Sequence, residues 1–177
     1  LTMRALFVSN WTDIYGDIPF SEAFQGRNNV LKPKFDTQKE VYTQLFADLD
    51  RANSLYDPSR ALRYPNKDLM YKGDIAKWRK FTNSLHMRLL MRLQNRDAEM
   101  GVSEKLREIV SNPARYPVMA SNADNAALFY TNVDPFIGHF GTTTLQSFTS
   151  NSHRMAEHLV NLMNNTNDPR LGIYAVQ

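Results

Sequence analysis

The chain has 177 residues, 42% hydrophobic and 22% charged, a composition that can bury a core and excludes a wholly disordered chain, a collagen-like repeat and a low-complexity linker. It has 21 basic and 18 acidic residues, for a formal charge of +3, and no cysteine. There is therefore no disulfide scaffold, thiolate zinc site or Cys nucleophile, and no stretch is long and apolar enough to form a membrane-spanning helix.

In chain order, Leu1, Ala5, Val8 and Trp11 recur at helical spacing. This predicts a helix over about Leu1–Asp13 with those four side chains on one face. The sequence opens in the middle of this pattern with no signal peptide and stops at Leu171–Gln177 directly after a turn, so it is expected to be a piece of a longer chain. Tyr15-Gly16-Asp17-Ile18-Pro19-Phe20 is a turn signature, since Gly permits unusual backbone angles and Pro blocks a helix. Residues 21–35 read as loop.

Thr37-Gln38-Lys39-Glu40 fits a capping box, with the Thr hydroxyl serving the amide three residues on and the Glu reaching back. Val41, Leu45, Leu49, Ala52 and Tyr56 then form one helical face beside Phe46, and Pro58 is expected to end it. A polar stretch runs to Asp68. A third helix is predicted from an Asp74 N-cap to about Arg96, burying Ile75, Trp78, Phe81 or Thr82, Leu85, Leu89 and Leu93. Ser103 is expected to cap a shorter helix through Val110, which Asn112-Pro113 stops. Residues 112–147 change character to Pro, Asn, Gly, Thr and aromatics. Within them 126–130 reads as a short strand and 132–141 as a long loop of the kind that carries binding surface. A last helix is predicted over Ser152–Asn164, closed by Asn167-Asp168-Pro169-Arg170-Leu171.

The fold class is thus mostly α, with tetratricopeptide-like helical pairs and a loop-rich insertion holding a short strand. The whole of 1–177 reads as one partial domain. Its helical body covers about 1–111 and 148–166, and its loop-rich segment about 112–147.

No catalytic constellation stands out. His153 and His158 are five apart and lack the Glu arrangement of a helical zinc site. Asp48, Asp50, Glu99 and Glu104 read as helix-surface acids, and His86 as a packing or surface residue. No nucleophile elbow or phosphate loop is present. The protein is accordingly expected to be no enzyme, with no cofactor and no metal. Seven bases between Lys72 and Arg96 face one acid, Asp74. Such a stripe suits phosphate, but the favoured reading is a helix whose basic stems cover apolar neighbours, with no nucleic acid bound. Trp11 and Trp78 read as core. Phe129, Tyr130, Phe136 and Phe140 stand among Asn122, Asn125, Asn132, Asp134 and His139. Ring faces with amide and carboxylate neighbours suit a sugar, which makes Tyr130, Asn132, Phe136 and His139 the candidate ligand-binding residues.

Four ordered segments carry a family resemblance. Tyr71 through Arg92, with its Tyr-x-Gly-Asp, Lys-Trp, Phe-x-Asn-Ser-Leu and Arg-Leu pieces, resembles the SusD/RagB family of Bacteroidetes. So do Gly16-Asp17-Ile18-Pro19, Leu49-Asp50-Arg51-Ala52 and Asp168-Pro169-Arg170-Leu171. The resemblance implies a mostly helical, lipid-anchored protein at the outer face of the outer membrane. It would bind glycans or, in some members, peptides without catalysis, and would partner a SusC-like TonB-dependent transporter. It touches the membrane only through an N-terminal lipid anchor that this chain does not contain. None of the motif residues is implied to contact ligand. On this view Trp78, Phe81, Leu85 and Leu89 are a packing spine. The alternative from the amphipathic pairs alone is a helical-repeat interaction scaffold without a small ligand.

Overall fold

The computed structural model describes residues 1–23, 25–57, 59–129 and 155–174. They belong to two compact units, 1–128 and 129–177.

In the first unit, α1 (Thr2–Tyr15) stops at Gly16, whose φ of 74° is open to glycine. The chain turns there and makes an antiparallel bridge between Ile18 and Asp36. Asp36 fastens this turn: it is buried, and its carboxylate accepts from the Phe20 amide at 3.0 Å, the Ser21 amide at 2.6 Å and the Ser21 hydroxyl at 2.7 Å. Chiefly those Ser21 bonds hold its pKa down to about 2. The Gly-Asp-Ile-Pro segment is therefore a staple between α1 and the next helix. That helix, α2 (Gln38–Leu55), opens with the expected capping box, Thr37 serving the Glu40 amide and Glu40 serving the Thr37 amide. It ends at Leu55, with Tyr56 already extended; Pro58 lies outside the described residues.

α3 (Ile75–Arg92) starts on the Asp74 cap, whose carboxylate accepts from the Lys77 amide at 3.0 Å. It ends four residues before the predicted Arg96, where the backbone tightens into a 3₁₀ turn at Gln94–Arg96 and a single helical turn, α4 (Asp97–Met100). α5 (Val102–Ser111) follows a left-handed Gly101. Its cap is not Ser103. The Asp97 carboxylate accepts from the Ser103 amide at 2.7 Å, so the capping group comes from the preceding turn rather than from the helix's own first residues.

The helices pack in sequence, α1 on α2, α2 on α3 and α3 on α5. One apolar cluster joins Ala5 and Val8 to Val41, Leu45 and Leu49 and to Leu85 and Leu89. A second joins Leu90 to Val102, Ile109 and Tyr116. α3 is thus covered on more than one side, and Asn83, His86 and Leu90 are buried along with the predicted stripe. Trp11 is not core: it is 50% exposed, with Phe7 and Ile14 also open. α1 turns Thr2, Ala5, Val8, Ser9 and Thr12 inward instead, because neighbouring helices approach closely where side chains are small. Asp48 is not a surface acid either. It is 3% exposed and paired with Arg4, as a buried carboxylate requires.

Residues 126–129 form no strand; among the described residues the only β pairing is the Ile18–Asp36 bridge. In the second unit, α6 (Glu157–Asn165) and α7 (Leu171–Tyr174) flank a turn in which Asp168 accepts from both the Arg170 amide and its guanidinium. Met163 is buried there, and His158 is exposed. No described helix is long and apolar enough to cross a membrane.

Candidate functional site

The connector between α2 and α3 is organised by one carboxylate. Asp68 accepts from the amides of Met70 at 3.0 Å, Tyr71 at 3.2 Å and Gly73 at 2.9 Å, and from the Trp78 indole N–H at 2.7 Å. Burial opposes the charge, but these four donors outweigh it and lower its pKa. Gly73 has φ 88°, and a Cβ there would lie 2.6 Å from Pro65 Cβ. Only glycine lets the connector fold flat onto Pro65. The Tyr-x-Gly-Asp and Lys-Trp motif pieces are thereby parts of one device that holds an indole in place. Trp78 meets Tyr71 edge-on at 5.4 Å and Phe81 at 6.0 Å. It is half-buried, whereas Phe81, Leu85 and Leu89 of the expected spine are fully packed.

The outer side of that indole lines an open cleft of about 1060 Å³ in the first unit. Its walls are Leu1, Met3 of α1, Leu55 and Tyr56 at the end of α2, Leu62, Tyr64, Leu69 and Met70 of the connector, Ile75 and Trp78 of α3, and Leu128. Several of the polar groups on these walls are bonded to one another or to their own turns. Thr2 Oγ1 lies 3.0 Å from the Tyr56 hydroxyl and 2.7 Å from Thr82 Oγ1, while Asp68 and the Trp78 N–H satisfy each other. Asp57 accepts from the Ser59 amide and hydroxyl, which lower its pKa. Nothing in the candidate list from the sequence pointed to this cleft. The sequence around Leu62, Leu69 and Met70 is mostly polar and carries no periodic signal for it.

Tyr130, Asn132, Phe136 and His139 lie outside the described residues. Just before them, Asn122 and Asn125 are exposed and Phe129 is 78% exposed. The approach to that segment is anchored. Lys80 Nζ binds both Asp124 oxygens at 2.9 and 3.1 Å, and the Tyr71 hydroxyl donates to the Asp124 carbonyl at 2.9 Å. Asn83, the Asn of the Phe-x-Asn-Ser-Leu piece, donates to Asn53 Oδ1 at 3.1 Å and to the Pro117 carbonyl at 2.9 Å. Ser84 accepts from the Met119 amide at 2.9 Å. These motif residues act by tying residues 115–125 to α3.

The basic stripe does not form one surface. Arg79 binds Asn53 and the Arg115 carbonyl, Lys80 binds Asp124, Arg92 binds Asp13 at 2.6 Å and Arg96 binds Glu99 at 3.4 Å. These four of its seven heads are divided among partners on different elements. Between α2, α3 and α5, His86 is 1% exposed, stacks on Phe46 at 5.2 Å and has no partner for Nε2. Burial pushes its pKa down to about 4 against the pull of Asp50. Among the described residues no cluster of three or more His, Asp or Glu could hold a metal.

A family model described as starch-binding and associating with the outer membrane, the SusD-like family, matches residues 1–177. The chain belongs to the SusD-like family. Among solved structures similar to it is a SusD homologue from Bacteroides fragilis, with 26% identity and a TM-score of 0.75 over 96% of this chain and 34% of that one. A SusD/RagB family protein from Bacteroides thetaiotaomicron has 30% identity and a TM-score of 0.71 over 96% and 33%. A chitin-binding protein has 29% identity and a TM-score of 0.73 over 97% and 34%. This SusD-like chain therefore spans about a third of the length of the structures it matches. No curated protein matches it.

Proposed function

We propose that this SusD-like chain is part of a cell-surface binding protein that captures a glycan, or an oligopeptide, and delivers it to a SusC-like TonB-dependent transporter without breaking bonds in the ligand. A lipid anchor would hold it at the outer membrane. The observation that carries the reading is the family match over residues 1–177, and the likeness to a chitin-binding protein at 29% identity favours the glycan. The helices supply a rigid body. Ligand contact is assigned to Tyr130, Asn132, Phe136 and His139, whose rings and amides suit the two faces of a sugar. The exposed Phe129, Asn122 and Asn125 beside them in sequence agree with that assignment.

Calorimetric titration of the protein as the cell makes it, against a panel of oligosaccharides and peptides, tests this. Saturable binding to one class is expected, and Tyr130→Ala with Phe136→Ala should weaken it at least tenfold, the equivalent of about 1.4 kcal/mol of ring contact. A folded protein that binds no member of either pool would defeat the proposal.

A further inference from the structure

We propose that Asp50, His86 and Lys105 form an acid-released latch: at neutral pH it clamps α5 onto α2 and α3, and a proton taken up by His86 lets α5 open while α2 stays packed. The inference is independent of the glycan reading and concerns the interior rather than any ligand surface.

The latch is built from three helices. His86 of α3 is 1% exposed, lies against the Phe46 ring of α2 and has no partner for Nε2 among the described residues. Its Nδ1 is 3.9 Å from Asp50 Oδ1 of α2, and the same oxygen is 2.9 Å from Lys105 Nζ of α5. One carboxylate oxygen thus stands between a neutral ring and an ammonium group. Lys105 also meets Glu108 Oε2 at 2.9 Å and lies over the Tyr116 ring at 5.0 Å. Glu108 in turn accepts from the Tyr116 hydroxyl at 2.6 Å and pairs with Arg115 at 3.4 Å. The charged groups facing the imidazole are therefore Asp50 from α2 and Lys105 and Glu108 from α5. Arg79, Lys80 and Arg92 of its own helix are bonded elsewhere. At neutral pH Asp50 and Glu108 balance Lys105 and Arg115, and the ring adds no charge.

A proton on His86 upsets this balance. The imidazolium and Lys105 then share a single oxygen of Asp50, and the new charge is shut away from water with its Nε2–H unpaired. Burial accordingly keeps the ring neutral down to about 4, so acid favours any opening that hydrates it. α5 is the element that yields. It has ten residues, its packed side chains Val102 and Ile109 join one small apolar cluster, and Lys105 carries its ion pair to α2. α2, by contrast, packs on both α1 and α3 and shares the larger cluster with them. Opening of α5 also withdraws the Glu108 brace from Arg115 and Tyr116, at the start of the segment tied to α3.

Native-state hydrogen exchange on the protein as the cell makes it, at pH 7 and pH 4.5 and corrected for the intrinsic effect of pH on exchange, tests this. The α5 amides should exchange at least tenfold faster at pH 4.5, while those of Val41, Leu45 and Leu49 in α2 change by less than about twofold. His86→Gln, polar but unable to take up the proton, should abolish the acceleration. Lys105→Gln should open α5 about fivefold already at pH 7, the scale of a partly exposed ion pair, and leave α2 unchanged. Should His86→Gln fail to fold, the comparison of α5 with α2 and the Lys105→Gln variant still decide. Unchanged α5 exchange at pH 4.5, an acceleration shared equally by α2, its persistence in His86→Gln, or α5 protection at pH 7 indifferent to Lys105→Gln would each overturn the proposal.

Discussion

Between α2 and α3 the buried amides of Asn53 and Asn83 face one another across helices and close the interior. Around the connector from Tyr56 to Asp74 polar side chains turn back into the local turn and leave an apolar surface uncovered. Asn53 and Asn83 illustrate the first arrangement, each bonding the other and a carbonyl of 115–117. Asp68 illustrates the second, accepting only from residues within ten positions of itself. Both satisfy the requirement that buried polar groups be bonded, but only the first joins distant parts of the chain. The first arrangement ties the body together, and the second leaves the apolar side chains of the connector open to the cleft.

Substitutions can break or sharpen this contrast. The largest effect is expected within the interior. Leu45 is fully buried among α1, α2 and α3, and Leu45→Ala should cost about 2–5 kcal/mol of unfolding free energy by denaturant titration. An equally conservative change at the half-exposed Leu69 of the cleft should cost far less. Asn83→Leu keeps the volume but leaves Asn53 Oδ1 and the Pro117 carbonyl without this donor. A loss of about 2–4 kcal/mol is expected, with increased hydrogen exchange across 115–120 as its local signature.

His86 gives a pH signature to the interior alone. Unfolded, it takes up a proton near its ordinary 6.5; folded, burial delays this to about 4. Protons therefore favour unfolding in that window. The contribution is complete above 6.5 and is lost as pH falls toward 4, a change of about 3 kcal/mol. His86→Leu should flatten the stability profile between those limits. Asp36 falls in a separate, lower window: its pKa is held at about 2, so its contribution is present above its ordinary 3.8 and disappears as pH drops toward 2. A single acid transition unchanged by His86→Leu would refute the assignment. The smallest effect belongs to the α2 cap. Thr37→Ala removes one half of the capping box and should cost about 1 kcal/mol, without altering the cleft.

The ordered motifs and the 3.6-residue period gave away the family, the helical class, the Thr37 capping box and the Asp74 cap, because these depend on residues close together in sequence. The period at Leu85 and Leu89 marked one buried side of α3, but not Asn83, His86 and Leu90. A helix enclosed by several neighbours buries residues that no single stripe predicts. Trp11 was misread for the converse reason: apolar spacing shows that a face exists, and only the approach of α2 and α3 to Ala5, Val8 and Thr12 chose which face of α1 is inside. Ser103 failed as a cap because the helix already begins at Val102, and the Ser103 amide donates to Asp97 of the preceding turn.

Local chemistry thus set where helices begin, which turns need glycine and which family the chain joins, since capping, φ preference and short motifs act over a few residues. The enclosure of α3 on several sides, the burial of Asp48 and His86, the dispersal of the basic stripe and the cleft beside Trp78 were decided by tertiary packing. Each depends on which distant side chain arrives within a few ångströms, and spacing along the chain carries no record of that.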